Sequence, residues 1–186
     1  MGIIIVLEGP DGGGKTTLAH KLCDEFGLEY RRPPEELLSS ITGPSPGLSE
    51  WWQAQLRAPQ KVRRQGVYDR CFWISEPIYA AVGGRQPLAN GEDLQRGIND
   101  LWAEGPLLIF CMTNEATMLE NAFMAGRPRL ADISDDLKKM RSINFLYWAF
   151  FSVWGQALDH TFHWDYNLDK WADVVKAYEE YERVMV

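Results

Sequence analysis

The 186-residue sequence predicts an α/β protein, a three-layer sandwich with about five parallel strands in the middle and helices on both faces. Three observations predict it. Residues 3–7 and 107–112 are unbroken apolar runs, the pattern of strands covered on both faces of a parallel sheet. Short strand-like runs alternate with amphipathic stretches along the whole chain, the order that right-handed crossovers produce. The first apolar run ends in a glycine-rich turn and passes directly into an amphipathic stretch.

In chain order, residues 3–7 form the first strand. Residues 16–26 form the first helix, because Leu18, Leu22 and Phe26 recur every four positions and Gly27 closes it. Residues 28–32 read as a short second strand, stopped by Pro33 and Pro34, which have no N–H for a ladder. Residues 39–49, rich in Ser, Pro and Gly, read as a loop, and a helix follows from about Ser49 to Arg64. Residues 66–69 are the third strand, ending on the charged pair Asp69 and Arg70. Helices are expected over 75–82 and 92–104, then the second buried strand at 107–112 and a helix over 115–124. Residues 125–134 turn polar around Gly126 and Pro128. A long helix runs from Asp135 to about His160, with Ser134 as its N-cap and Asp135 and Asp136 at its positive end. A last strand at 161–166 and an amphipathic helix at 168–184 complete one domain spanning 1–186, with no internal repeat or linker.

Composition narrows the function classes. A net charge of −7 repels a nucleic-acid backbone, and the one short basic cluster, Lys61, Arg63 and Arg64, reads as a solvated helix face. Cys23, Cys71 and Cys111 are odd in number and lack metal-ligand spacing, so no disulfide framework or zinc site is expected, and a reducing, cytoplasmic setting fits. The start of the chain does not have signal-peptide architecture, and no stretch approaches the roughly 18 apolar residues of a membrane span.

The chemistry is concentrated at the glycine turn. Gly9-Pro10-Asp11-Gly12-Gly13-Gly14-Lys15-Thr16 fits G-x-x-x-x-G-K-[ST], between a buried strand and a helix as that pattern requires. Such a loop wraps backbone N–H groups around an anion, and the following helix adds its positive end. This is a P-loop, so ATP is the expected ligand. Gly9, Asp11, Gly12, Gly13 and Gly14 form its cradle, Lys15 reaches the β- and γ-phosphates, and Thr16 ligates Mg2+. Thr17 is either a further phosphate ligand or a helix-packing residue. The strand at 107–112 lacks a terminal carboxylate for magnesium, which makes Asp69 the more important acid.

The stretch from Val6 through Thr17 resembles the first motif of thymidylate kinases, E-G-x-D-G-x-G-K-T-T after an apolar strand. Asp69 and Arg70, followed by Ser75 and Tyr79, resemble the D-R pair of the same family. The resemblance implies a nucleotide kinase that transfers the γ-phosphoryl of ATP to a deoxynucleoside 5'-monophosphate, thymidylate-like or a modified pyrimidine. Arg70 would then hold the acceptor phosphate, and Asp69 would act on the magnesium shell or as a base. Gly126-Arg127-Pro128-Arg129 falls where these kinases carry an arginine lid, which makes Arg127 and Arg129 candidate catalytic groups within a lid near 125–134. Arg141 and Tyr147 resemble an Arg and Tyr in the helix after that lid.

Arg31-Arg32-Pro33 replaces the family's R-E-P, with Glu35 and Glu36 following, and Arg57 lies only 12 residues before Asp69. The run after Asp69 also resembles the deoxynucleoside-kinase pattern E-R-S-x-x-S-x-x-Y-I-F-A. Arg32, Trp52, Arg57, Arg70, Trp73 and Tyr79 are therefore the candidate acceptor-site residues, with the tryptophans as stacking surfaces. A deoxynucleoside kinase acting on a 5'-hydroxyl is the alternative enzyme, and a non-kinase regulatory P-loop ATPase is the alternative from another class. Thymidylate kinases are commonly dimers, so the resemblance also implies a homodimer.

Overall fold

A computed structural model describes residues 3–34, 37, 47–57, 66–124, 133–155 and 159–185. Its strands are β1 (Ile4–Glu8), β2 (Glu29–Arg31), β3 (Gly66–Asp69), β4 (Leu107–Cys111) and β5 (Thr161–Trp164). They form one sheet in the order β2-β3-β1-β4-β5, and every neighbouring pair is parallel. The helices are α1 (Lys15–Phe26), α2 (Gly47–Arg57), α3 (Phe72–Gly83), α4 (Gly91–Ala103), α5 (Glu115–Met124), α6 (Ile133–Phe150) and α7 (Trp171–Met185).

Alternation along β1 shows why helices must cover both faces. Ile4 and Val6 point into a core shared with Trp52, Phe72, Trp73, Leu101 and Tyr147, whereas Ile3, Ile5 and Leu7 point into one shared with Leu18, Leu22, Val174 and Tyr178. The α7 helix is also joined to β1 by a hydrogen bond, Ile4 N donating to the Tyr181 hydroxyl at 3.3 Å. Both layers converge on the strand that enters the glycine loop, so the loop sits on a fully buried base.

Several element expectations change, among them the last strand, which ends at Trp164, and the last helix, which starts at Trp171. The third helix starts at Phe72 rather than Ser75, because Ile74 N and Ser75 N already bond to the Cys71 carbonyl and the helix carries Pro77 within it. The long helix is regular only over Ile133–Phe150 and then widens into a π-helical turn, Phe151–Gly155. Gly155 allows this because the Phe151 ring lies where its Cβ would be, 2.6 Å away, while also packing on Phe110. Since α6 begins at Ile133, Ser134 lies in its first turn and not at the N-cap. The helix predicted to run to Arg64 is described only to Arg57, and Lys61, Arg63 and Arg64 lie outside the described residues. No helix among the described residues is long and apolar enough to cross a membrane.

Candidate active site

The glycine loop folds onto the carboxyl end of β4. A Cβ on Gly13 would lie 2.3 Å from the Cys111 carbonyl oxygen, and one on Gly9 would lie 2.2 Å from it, so only glycine lets the loop approach this strand. Gly9 also has φ 138, which side-chain-bearing residues rarely adopt. From α5, Asn121 donates to the Gly12 carbonyl at 3.0 Å and is itself bonded to the Tyr166 hydroxyl. Lys15 is buried and folds over the loop, its ammonium donating to the carbonyls of Gly9 at 2.9 Å and Pro10 at 2.6 Å. Burial first, and then the nearby Arg70 charge, lower the Lys15 pKa to about 8, against the opposing pull of Asp11 and Asp69.

Opposite the loop, β3 delivers Asp69 beside Thr16. The Thr16 hydroxyl and the Tyr30 hydroxyl both donate to Asp69 Oδ2, at 3.2 and 2.8 Å. Burial and this carboxylate push the Tyr30 phenol upward. Thr16 and Asp69 thus present hard oxygen donors 3.2 Å apart, a donor pair that fits Mg2+ and would help to hold it. No cluster of three His, Cys, Asp or Glu side chains suited to a metal occurs among the described residues.

Arg70 follows at once and is the one non-glycine residue with positive φ among the described residues, at 74. That conformation costs about 1–2 kcal/mol. It is pinned by Arg70 N donating to the Leu7 carbonyl at 2.9 Å. The reversal turns the side chain back over the glycine loop. Its guanidinium pairs with Asp11 Oδ1 at 2.6 Å, donates to the Gly9 carbonyl at 3.2 Å and to the Tyr147 hydroxyl at 3.1 Å, and lies over the Tyr79 ring at 4.9 Å. Burial opposes the Arg70 charge, and Tyr79, Tyr147, Asp11 and Glu8 outweigh it, so the group stays cationic.

These groups line one continuous cleft of about 980 Å3. To one side of the loop it is bounded by Thr17, Lys21, Tyr166, Asp169 and Trp171, with the Lys21 ammonium 4.3 Å from the Trp171 ring. To the other side, α2 contributes Leu48 and Trp52, and α3 contributes Phe72, Glu76 and Tyr79 at helical spacing. Glu76 is buried and held by both Arg85 nitrogens, at 2.5 and 2.8 Å, and by Leu88 N at 2.9 Å. The Tyr79 hydroxyl has no hydrogen-bond partner among the described residues.

Of the residues singled out in the sequence, the structure brings together Asp11, Gly12, Gly14, Lys15, Thr16, Thr17, Arg32, Trp52, Asp69, Arg70 and Tyr79 along the cleft. Trp73 is not among them. It is 1% exposed and its indole lies on Gly97, where a Cβ would come within 2.3 Å, so it is a core residue between α3 and α4. Arg141 pairs on the surface with Glu115 at 2.5 Å. The Arg57 side chain lies outside the described residues, as do Glu35, Glu36, Arg127 and Arg129. Glu8 entered only as the first residue of the E-G-x-D-G motif, with no role attached; it is fully buried and accepts from Cys71 N, Ser75 and Tyr147. Tyr30, Asn121 and Trp171 carried no sequence signal, because their roles depend on chain segments far from the motif.

No family model matches the chain, and no curated protein matches it. Solved structures do. A YorR protein from Bacillus subtilis, in complex with phosphorylated GDP, superposes with a TM-score of 0.64 at 18% identity, over 98% of this chain and 93% of that one. Deoxyadenosine kinase from M. mycoides with bound dATP superposes at 0.59 and 16% identity, over 96% of this chain and 98% of its own. The same enzyme with bound dCTP gives 0.59 and 18%, over 97% and 100%. At these identities the likeness establishes a shared fold, the α/β sandwich expected from the sequence.

Proposed function

We propose that the chain is an ATP-dependent nucleotide kinase that transfers the γ-phosphoryl group to a deoxynucleoside 5'-monophosphate. The observation that carries this reading is the shape of the cleft: about 980 Å3, at the top of the range of about 300–1,000 Å3 for small-ligand sites, continuous across the phosphate loop and aromatic on both sides of it. That is room for two nucleotides meeting at one phosphate site. The superposed deoxyadenosine kinase and YorR structures, each holding a nucleotide on this fold, support a nucleotide or nucleoside kinase and fit either acceptor.

The donor triphosphate lies in the loop, with its base toward Trp171 and Lys21. Lys15 leaves its two loop carbonyls for the β- and γ-phosphates, exchanging neutral acceptors for anionic ones. Thr16 and Asp69 hold the Mg2+, which neutralises charge on the phosphate oxygens when bound. The acceptor base lies between Trp52, Phe72 and Tyr79, with Glu76 at its edge, and Arg70 holds the acceptor phosphate beside the loop. Arg32 closes the outer rim. Arg127 and Arg129 are the further arginines that the sequence offers for charge neutralisation during transfer.

One contact favours a second reading. Asp11 is held by Arg70 at 2.6 Å on the cleft, a fixed carboxylate of the kind that a 5'-hydroxyl acceptor would need as its base. A panel of deoxynucleosides and their 5'-monophosphates with Mg2+ and ATP, followed by ADP release, separates the two. Turnover of the monophosphates alone is the expected result. Turnover of nucleosides alone replaces the first reading with the second, and ATP binding without transfer to any acceptor leaves a nucleotide-dependent regulator.

A further inference from the structure

The cleft residues account for Arg70's contacts with Asp11, Gly9 and Tyr79, but not for the group buried behind it. Tyr147 of α6 is fully buried, and its hydroxyl meets three polar side chains at once: Glu8 Oε2 at 3.0 Å, Ser75 Oγ at 3.0 Å and Arg70 Nη1 at 3.1 Å. With Glu8 ionised the protons have a consistent arrangement, in which the Tyr147–Ser75 bond can run either way. Arg70 can only donate, so Tyr147 accepts from it and can spend its own proton on Glu8. Ser75 donates to Glu8 as well, at 2.9 Å to Oε2, and Cys71 N donates to Oε1. Glu8 is then an acceptor for three donors that come from α6, α3 and the turn after β3. Burial pushes its carboxyl upward, and the Arg70 charge and these donors oppose that push.

The contacts of Arg70 fall into two kinds. Asp11 and Gly9 belong to the loop that must receive phosphate, and an acceptor phosphate competes with the Asp11 carboxylate for the same guanidinium. Tyr147 is neutral, lies on a helix and does not compete. Among the described residues it gives Arg70 its hydrogen bond to the helical framework.

We infer that Tyr147 is a positioning residue for phosphoryl transfer: its hydroxyl, oriented by Glu8 and Ser75, holds the Arg70 guanidinium at the phosphate site when the pairing with Asp11 is exchanged for substrate. This rests on the acceptor-phosphate role proposed above for Arg70. It also ties the site to the seating of α6, the helix that follows the segment bearing Arg127 and Arg129.

The test uses the intact protein with Tyr147→Phe, Glu8→Gln, Arg70→Lys and the double variant Tyr147→Phe with Arg70→Lys. Tyr147→Phe keeps the ring and removes only the hydroxyl. We expect kcat to fall by about 10–100-fold with the KM for ATP within about twofold, as a misplaced group requires. In the Arg70→Lys background the same substitution should change kcat by less than about twofold, because the effect passes through Arg70. An equal loss in both backgrounds, or an unchanged kcat in the single variant, overturns the inference.

Amide hydrogen exchange of residues 9–15 and 70–76, read without substrate, separates this inference from the proposed function. Faster exchange in Tyr147→Phe and in Glu8→Gln, but not in the surface control Ser142→Ala, supports the anchor even if wild-type protein turns over none of the acceptors. Unchanged exchange there overturns the anchor whatever the activity. Should Tyr147→Phe fail to fold, Glu8→Gln carries both measurements, with the same split between kcat and the KM for ATP expected.

Discussion

A single methyl group at Gly13 should disable ATP binding and destabilise the protein. The Cβ of Gly13→Ala would stand 2.3 Å from the Cys111 carbonyl oxygen and 3.2 Å from that of Pro10. Ordinary carbon–oxygen contacts need roughly 1 Å more than the shorter of these, so either the loop lifts off β4 or β4 yields. The obstacle is backbone at the end of a fully buried strand, which cannot rotate away as a side chain would. Overpacking of this kind costs about 1–3 kcal/mol, and for a chain of this size each kcal/mol lowers Tm by about 2–4 °C. Lifting the loop also opens the ring of N–H donors, and a misplacement of about 1 Å costs on the order of 100-fold in kcat/KM.

Gly91→Ala is the matched control. It stands in the first turn of α4, its Cβ would meet nothing within 4 Å, and it should gain about 0.4–1 kcal/mol with unchanged kinetics. Thermal melts, calorimetric ATP titration and ADP release measure all three quantities on both variants. A Gly13→Ala protein that melts with the wild type and binds ATP within twofold of it would refute the packing argument.

Further outcomes follow from the same geometry. Folded Lys15 releases its proton near pH 8 and the unfolded side chain near 10.5, so between these values the unfolded state binds more protons and stability rises with pH. In magnesium-free urea melts the stability difference between wild type and Lys15→Met should therefore shift in favour of wild type from pH 7.5 to 10, and a flat difference would show that Lys15 is not so perturbed. Phosphate should restore the charge, so ATP binding at pH 8.5 should be accompanied by net proton uptake, measured by calorimetry in buffers of different ionisation enthalpy. Asp69→Asn keeps the partners Thr16 and Tyr30 in reach but loses the anion; kcat should fall by about 100-fold with a higher Mg2+ requirement, read from a magnesium titration of the rate. Arg70→Ala should raise the acceptor KM far more than the ATP KM, and equal effects would contradict its proposed role.

Much of this arrangement was legible in the sequence, for identifiable reasons. The strands β1 and β4 are unbroken apolar runs because both faces are covered, and the octet from Gly9 to Thr16 is local, so a linear reading captures all of it. Asp69 and Arg70 were legible because a charged pair directly after a short apolar strand marks the carboxyl edge of a parallel sheet, where ligands bind. Trp73 misled because an indole beside a charged pair reads as a stacking surface; only the missing side chain of Gly97, twenty-four positions on, shows that it belongs to the core. The end of α6 misled because helical periodicity does not distinguish an α-helix from one that widens against a glycine. Tyr147 was legible only through the resemblance in the helix after the lid, and its bond to Arg70, like the bonds of Tyr30 and Asn121, joins segments that only the sheet order brings near.

The bond between Ile4 and Tyr181 bears on how the protein is made. The strand beneath the phosphate loop leaves the ribosome well before Val174, Tyr178 and Tyr181, which cover one of its faces. A nascent chain holding every proposed phosphate-site residue therefore still lacks the floor that keeps the loop rigid. Chains ended before residue 171 should fail to retain ATP in a filter-binding assay, and retention by such a chain would show that the loop stands without α7. Nucleotide capture would thus wait for α7, with ligand unavailable to stabilise any earlier intermediate.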